Sequence, residues 1–70
     1  MKRFVIIVEK AEGNYSAYAP DLPGCAATGA SPEEARSRMQ EAIALHLEGL
    51  RESNEPIPEP VTTSYTVDVA

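Results

Sequence analysis

The sequence predicts an α+β domain: a small antiparallel-type sheet with one long helix packed on one face, in the order β-β-β-α-β. Three observations carry that reading. Short β-branched and alternating segments occupy the first thirty residues, punctuated by Gly13 and Gly24. A Ser-Pro-Glu-Glu start then introduces some twenty residues with apolar side chains at helical spacing. Beyond a proline-rich connection, Tyr65, Val67 and Val69 alternate with Thr66 and Asp68.

Phe4 to Val8 is a run of β-branched and aromatic residues bounded by Glu9-Lys10, the pattern of a strand. It is apolar at odd and even positions alike, so both faces are expected to be covered, one of them by a second subunit. Ala11-Glu12-Gly13-Asn14 supplies a turn, with glycine free to adopt a positive φ. Tyr15 to Ala19 returns as the second strand of a hairpin. Pro20-Asp21-Leu22-Pro23-Gly24-Cys25 then stops regular pairing, because its two prolines have no N–H to donate. A short third strand is expected over Cys25 to Thr28.

Ser31 suits a helix N-cap, Pro32 the first helical position and Glu34 the third position of a capping box. From there Ala35, Met39, Ala42, Ile43, His46, Leu47 and Leu50 recur at three- and four-residue steps. They form one apolar stripe of a helix running to about Ser53, with Asn54 as a left-handed cap. Glu55-Pro56-Ile57-Pro58-Glu59-Pro60 must be extended and semi-rigid. Val61 to Val69 places Tyr65, Val67 and Val69 on one face, against Thr66 and Asp68 on the other, and is expected to form a last strand at a sheet edge.

Seventy residues, 43% apolar and 24% charged, make one ordinary globular domain spanning residues 1–70, with no room for a second. A core of that size rarely supplies more than about 3–5 kcal/mol. One cysteine and one histidine cannot build a disulfide or a closed zinc site, so association is the remaining source of support. Eleven acids against six bases give a net charge of −5. This disfavours binding to nucleic acid or an anionic membrane and favours a basic protein partner. No leader or membrane-spanning segment is visible, and a lone cysteine fits the cytoplasm.

Catalytic and cofactor chemistry finds no foothold in the residues. His46 lies on the apolar stripe with Ala42 and Leu50 at helical ligand spacing, so it reads as a packing histidine. Cys25 has no cationic neighbour in sequence and reads as a small buried hydrophobe. Glu9, Asp21 and Asp68 are dispersed, and no glycine-rich phosphate loop occurs. The outer side of the helix is more distinctive. At about 100° per residue, Glu34, Glu41, Glu48 and Glu52 fall near one line beside Arg38, with Leu45 in their midst. A solvated face accounts for the acids alone. The leucine among them marks a candidate contact surface, an apolar anchor rimmed by glutamates.

In combination, these segments resemble the HicB antitoxin family. The resemblance rests on Gly13-Asn14-Tyr15, the run Ala17-Tyr18-Ala19-Pro20-Asp21-Leu22-Pro23-Gly24-Cys25, Gly29-Ala30-Ser31 and Glu34-Ala35. Glu41 through Leu50 and the tail Pro56-Ile57-Pro58-Glu59-Pro60 extend it over nearly the whole chain. It implies a degenerate, non-catalytic ribonuclease H-like domain that neutralises HicA, a small basic RNA-cleaving toxin of bacteria and archaea. The catalytic histidine of such a pair belongs to the toxin, so no catalytic role transfers to His46. Members usually continue into a DNA-binding segment. Here the chain is expected to lack one, and promoter binding is not carried over. Pro20 to Cys25 is expected to be structural rather than a recognition loop. The expected assembly is a homodimer or higher oligomer with a basic toxin. The alternatives are an orphan oligomeric binding module and, far behind, a metal-dependent nuclease using Asp21 or Asp68.

Overall fold

A computed structural model describes residues 2–70 of the chain. Strands β1 (Ile7–Ala11), β2 (Asn14–Tyr18) and β3 (Ala26–Gly29) form an antiparallel sheet in the order β1-β2-β3, followed by helix α1 (Pro32–Glu52). The architecture is therefore α+β with the order β-β-β-α.

The hairpin turns on Glu12-Gly13, with Ala11 opposite Asn14 and Gly13 at φ +83°. β1 starts three residues later than the apolar run suggests. The register places Ile7 opposite Tyr18, so Ile6 would next face Ala19 and Val5 would face Pro20. Ala19 is already committed elsewhere: its N–H donates to the Cys25 carbonyl and its own carbonyl accepts from Leu22 N. Pro20 has no N–H. The ladder ends there for lack of partners, and Phe4–Ile6 continue only as an unpaired lead-in. β3 lies one residue beyond the expected Cys25 to Thr28, because Cys25 closes the preceding loop by donating to the Leu22 carbonyl at 3.0 Å.

Alternation sorts the sheet into two faces. Phe4, Ile6, Val8, Tyr15, Ala17, Ala19 and Ala27 pack toward α1, which contributes Ala35, Met39, Ala42, Ile43 and Leu47. The fully buried side chains are Ala17, Ala19, Leu22, Cys25, Ala35 and Met39. Four of these are an alanine or a cysteine-sized group, so the sheet and helix approach closely rather than interleave bulky side chains. Val5 and Ile7 point to the other face, where no element among the described residues covers them, and they remain half-exposed.

Both ends of α1 follow the sequence signals. Ser31 Oγ accepts from Glu34 N at 3.1 Å, and Glu34 Oε1 accepts from Ala30 N at 2.9 Å. At the C-terminal end Asn54 has φ +57°, its N–H donates to Arg51 O, and Glu55 N donates to Leu50 O at 2.8 Å. That paired closure is a Schellman motif.

The expected last strand is not formed. Residues 55–70 adopt no regular secondary structure. The proline arm runs past the β1 lead-in, where Lys2 Nζ meets Glu59 Oε1 at 2.6 Å, and reaches the β2–β3 loop, where Asp21 binds Val61 and Thr62. Beyond that anchor Tyr65, Val67 and Val69 are 80–87% exposed. A segment with strand patterning therefore has no strand beside it. The radius of gyration, 13.4 Å, exceeds the roughly 11 Å of a compact 70-residue domain, as a projecting segment requires.

Candidate protein-binding surface

The outer face of α1 begins with a residue that belongs to the fold. Glu34 is half-buried, caps the helix through Ala30 and lies 3.5 Å from Arg38, which also reaches the Thr28 carbonyl at 3.5 Å. Its carboxylate is occupied by structural work. Glu41, Glu48 and Glu52 differ, since all three are exposed along the following turns. Leu45 lies among them and is 69% exposed, with no element of the described residues over it. Helical spacing thus brings Glu41, Leu45, Glu48 and Glu52 together on one open surface, and sets Glu34 apart at its N-terminal end.

The loop Pro20–Cys25 is built inward. Leu22 inserts into the core at 1% exposure, and Cys25 follows it under the helix. Gly24 has φ +82°, a left-handed geometry that a side chain would strain, between exposed Pro23 and buried Cys25. Burial pushes the Cys25 thiol up from its ordinary pKa, away from the thiolate a nucleophile needs.

Asp21 is half-buried in the same loop, and its role has no signal in the local sequence. Its Oδ2 accepts from Thr62 N at 2.9 Å and Val61 N at 3.1 Å, and its Oδ1 accepts from Thr62 Oγ1 at 2.8 Å. The Thr62 backbone N–H and then its hydroxyl hold the carboxyl below its ordinary value; desolvation by burial opposes them, and the Val61 N–H adds a smaller lowering. Forty residues of chain separate these partners, so only the folded arm reveals the contact.

His46 is half-buried on the inner flank of α1, between Ile43 and Leu50. Among the described residues, no three of His, Cys, Asp or Glu are grouped closely enough to hold a metal ion. No helix among them is long and apolar enough to cross a membrane. An open groove of about 260 Å³, lined by Phe4, Ile6, Arg36, Gln40 and Ile43, runs between the β1 lead-in and α1.

Fold and surface define a small acidic α+β domain whose distinctive residues face outward. Within that class, the chain belongs to the HicB-like antitoxin family: the sequence profile of the HicB-like antitoxin of bacterial toxin-antitoxin systems matches residues 4–69. It is 39% identical over 67 residues to a UPF0150 protein of Thermoplasma acidophilum, covering 96% of this chain and 97% of that one. A UPF0150 protein of Synechocystis is 36% identical over 55 residues, with 79% and 70% of the two chains covered. A 14.9 kDa protein from the rep-hol intergenic region of Haemophilus phage HP1 is 38% identical over 56 residues. That match takes in 80% of this chain but 42% of the phage protein. No solved structure matches.

Proposed function

We propose that this protein is a non-catalytic antitoxin that binds and neutralises a small basic, HicA-like RNA-cleaving toxin. Membership of the HicB-like antitoxin family sets the class of partner. The observation that carries the reading at the level of residues is Leu45, 69% exposed among exposed Glu41, Glu48 and Glu52. A desolvated apolar anchor within a charged rim is how a few residues supply most of an interface's affinity. Carboxylates around it attract a basic partner and speed its encounter. Glu34, bound into the helix cap, forms the margin of this surface. The unit corresponds to a degenerate ribonuclease H-like domain that keeps a scaffold and supplies no chemistry. It acts in the cytoplasm without touching nucleic acid itself, consistent with its charge of −5.

Self-association accompanies that role. The face of the sheet bearing Val5 and Ile7 and the exposed Tyr65, Val67 and Val69 both call for cover that one chain does not provide. The same uncovered residues also fit a second reading, an oligomeric binding module that works without a toxin. Co-expression with a basic toxin encoded beside it separates the two. The antitoxin reading expects rescue of growth and co-purification of the pair. It expects Leu45→Glu to weaken the complex by about thirtyfold, roughly 2 kcal/mol, with the fold intact. No rescue and no co-purification overturn it.

A further inference from the structure

We propose that Gly49 is where the basic partner's backbone comes down onto α1, in the notch between Leu45 and Ser53, and that the side chain it lacks sets the fit of that interface. This rests on the antitoxin reading above and adds the point at which the two chains approach most closely.

The fold accounts for three of the four glycines. Gly13 and Gly24 have φ +83° and +82°, and a Cβ on Gly29 would stand 2.5 Å from Ala35 N. Gly49 has neither reason. Its φ is not positive, α1 continues past it to Glu52, and nothing lies within 4 Å of an added Cβ. Its carbonyl accepts from Ser53 N at 3.1 Å, a bond that any residue would make. Short of proline, glycine is the least favourable residue in a helix interior. The chain therefore carries a cost at this position that its own packing does not explain. What glycine alone offers is bare helix backbone that another chain can touch.

The surroundings of the notch define what touches it. Glu41, Leu45, Gly49 and Ser53 follow at four-residue steps, so they form one row along the helix surface, and all four are exposed. Bulk falls along that row from a leucine to nothing, which leaves Leu45 as an apolar wall above a floor of backbone. Glu48 and Glu52 flank the floor and are exposed as well. Among the described residues the ion pairs are Lys2 with Glu59 and Arg38 with Glu34, so this chain neutralises neither Glu48 nor Glu52. An apolar wall beside two unpaired carboxylates fits a protein segment that sets an apolar residue against Leu45 and lysine or arginine side chains on the glutamates. Close approach at Gly49 brings those basic groups to Glu48 and Glu52; a side chain there would hold them off.

Isothermal titration of a catalytically inactive form of the basic toxin encoded beside this chain tests the inference. The variants are Gly49→Ala and Gly49→Gln, with Ser37→Gln as an exposed control elsewhere on α1. Thermal unfolding of each is measured alongside. Both Gly49 variants are expected to unfold at or above the wild-type temperature, since alanine and glutamine favour the helix and meet nothing in their own chain. Binding is expected to move the other way, about tenfold weaker for Gly49→Ala and about a hundredfold for Gly49→Gln, as overpacking grows with the added bulk. Ser37→Gln is expected to bind as the wild type does. A Gly49→Gln variant that binds as tightly as the wild type overturns the close approach, as does equal weakening by Ser37→Gln. Lower unfolding temperatures for the Gly49 variants also overturn it, because they assign the glycine to the fold. In each of these cases a wild-type chain that still binds, and is weakened by Leu45→Glu, leaves the antitoxin reading standing. A wild-type chain that does not bind overturns that reading and this inference with it.

Discussion

Gly29 sets the distance between the sheet and the helix, and Gly29→Ala tests how much of the fold depends on that distance. A Cβ at this position would stand 2.5 Å from Ala35 N, 2.9 Å from Ala35 Cα and 2.9 Å from the Glu34 carbonyl carbon. All three are backbone atoms of the first helical turn, so no rotamer change relieves the contact. Reaching ordinary contact at 3.4 Å means lifting α1 by about 0.9 Å. That lift opens the interface at buried Ala35 and Met39 and pulls Glu34 away from Ser31 and Ala30. Overpacking of this kind costs about 1–3 kcal/mol, and a weakened N-cap adds up to about 1. Alanine's lower entropy loss in a strand returns about 0.5–1. The net loss is about 2 kcal/mol, a large part of what a core this small supplies. Thermal unfolding followed by circular dichroism should show Tm falling by about 8–16 °C. Gly49→Ala is the control. Nothing lies within 4 Å of its added Cβ, and the helical position should gain about 0.5–1 kcal/mol. A Gly29→Ala variant within about 0.5 kcal/mol of wild type would refute the close approach of β3 and α1.

Five further outcomes are expected. Asp21→Ala should release the arm, seen as loss of hydrogen-exchange protection at Val61 and Thr62, with the helix amides unaffected. Because the folded carboxyl titrates below its ordinary value of 3.8, docking of the arm is complete above that pH and is lost as pH falls through the lower folded pKa. A Thr62 amide shift titrating above 3.8 would contradict this. Asn54→Gly, at φ +57°, should raise stability in urea by about 0.5–1 kcal/mol. Leu22→Ala, at 1% exposure, should cost about 2–5 kcal/mol and leave the isolated chain largely unfolded at room temperature. Cys25 should react with a disulfide reagent only at the rate of unfolding, and rapid reaction in the native state would contradict its burial.

What can be read from the residues is whatever neighbours in sequence decide. Gly13 fixes the hairpin turn, Ser31-Pro32-Glu33-Glu34 starts the helix and Asn54 ends it, each through atoms a few residues away. Hydrophobicity places the start of β1 three residues early because it measures burial, while pairing needs free N–H and C=O groups opposite. Ala19 uses both groups in its own loop and Pro20 has no N–H to offer Phe4–Ile6. The same limit applies at Tyr65 to Val69: alternation shows that the segment suits a sheet, but an edge must be within reach. Leu45 is legible as an exposed leucine from angle alone. Glu34 looks in sequence like one more acid of the outer face as well as a capping residue, and its hydrogen bond to Ala30 commits it to the cap. Asp21 has no local signature, since its partners are brought to it only by the path of the whole helix and arm.

The proline arm also shapes how the domain assembles in time. Once the sheet and α1 are in place, the open loop between Ser53 and Val61 is short. Closing a flexible loop of about ten residues costs about 2 kcal/mol and takes about 10–100 ns. Pro56, Pro58 and Pro60 remove much of that freedom beforehand. Three hydrogen bonds to a single carboxylate then hold a strut that was nearly straight already. Residues 55–62 therefore form a separate opening unit, which can release and recapture while the sheet and helix stay intact.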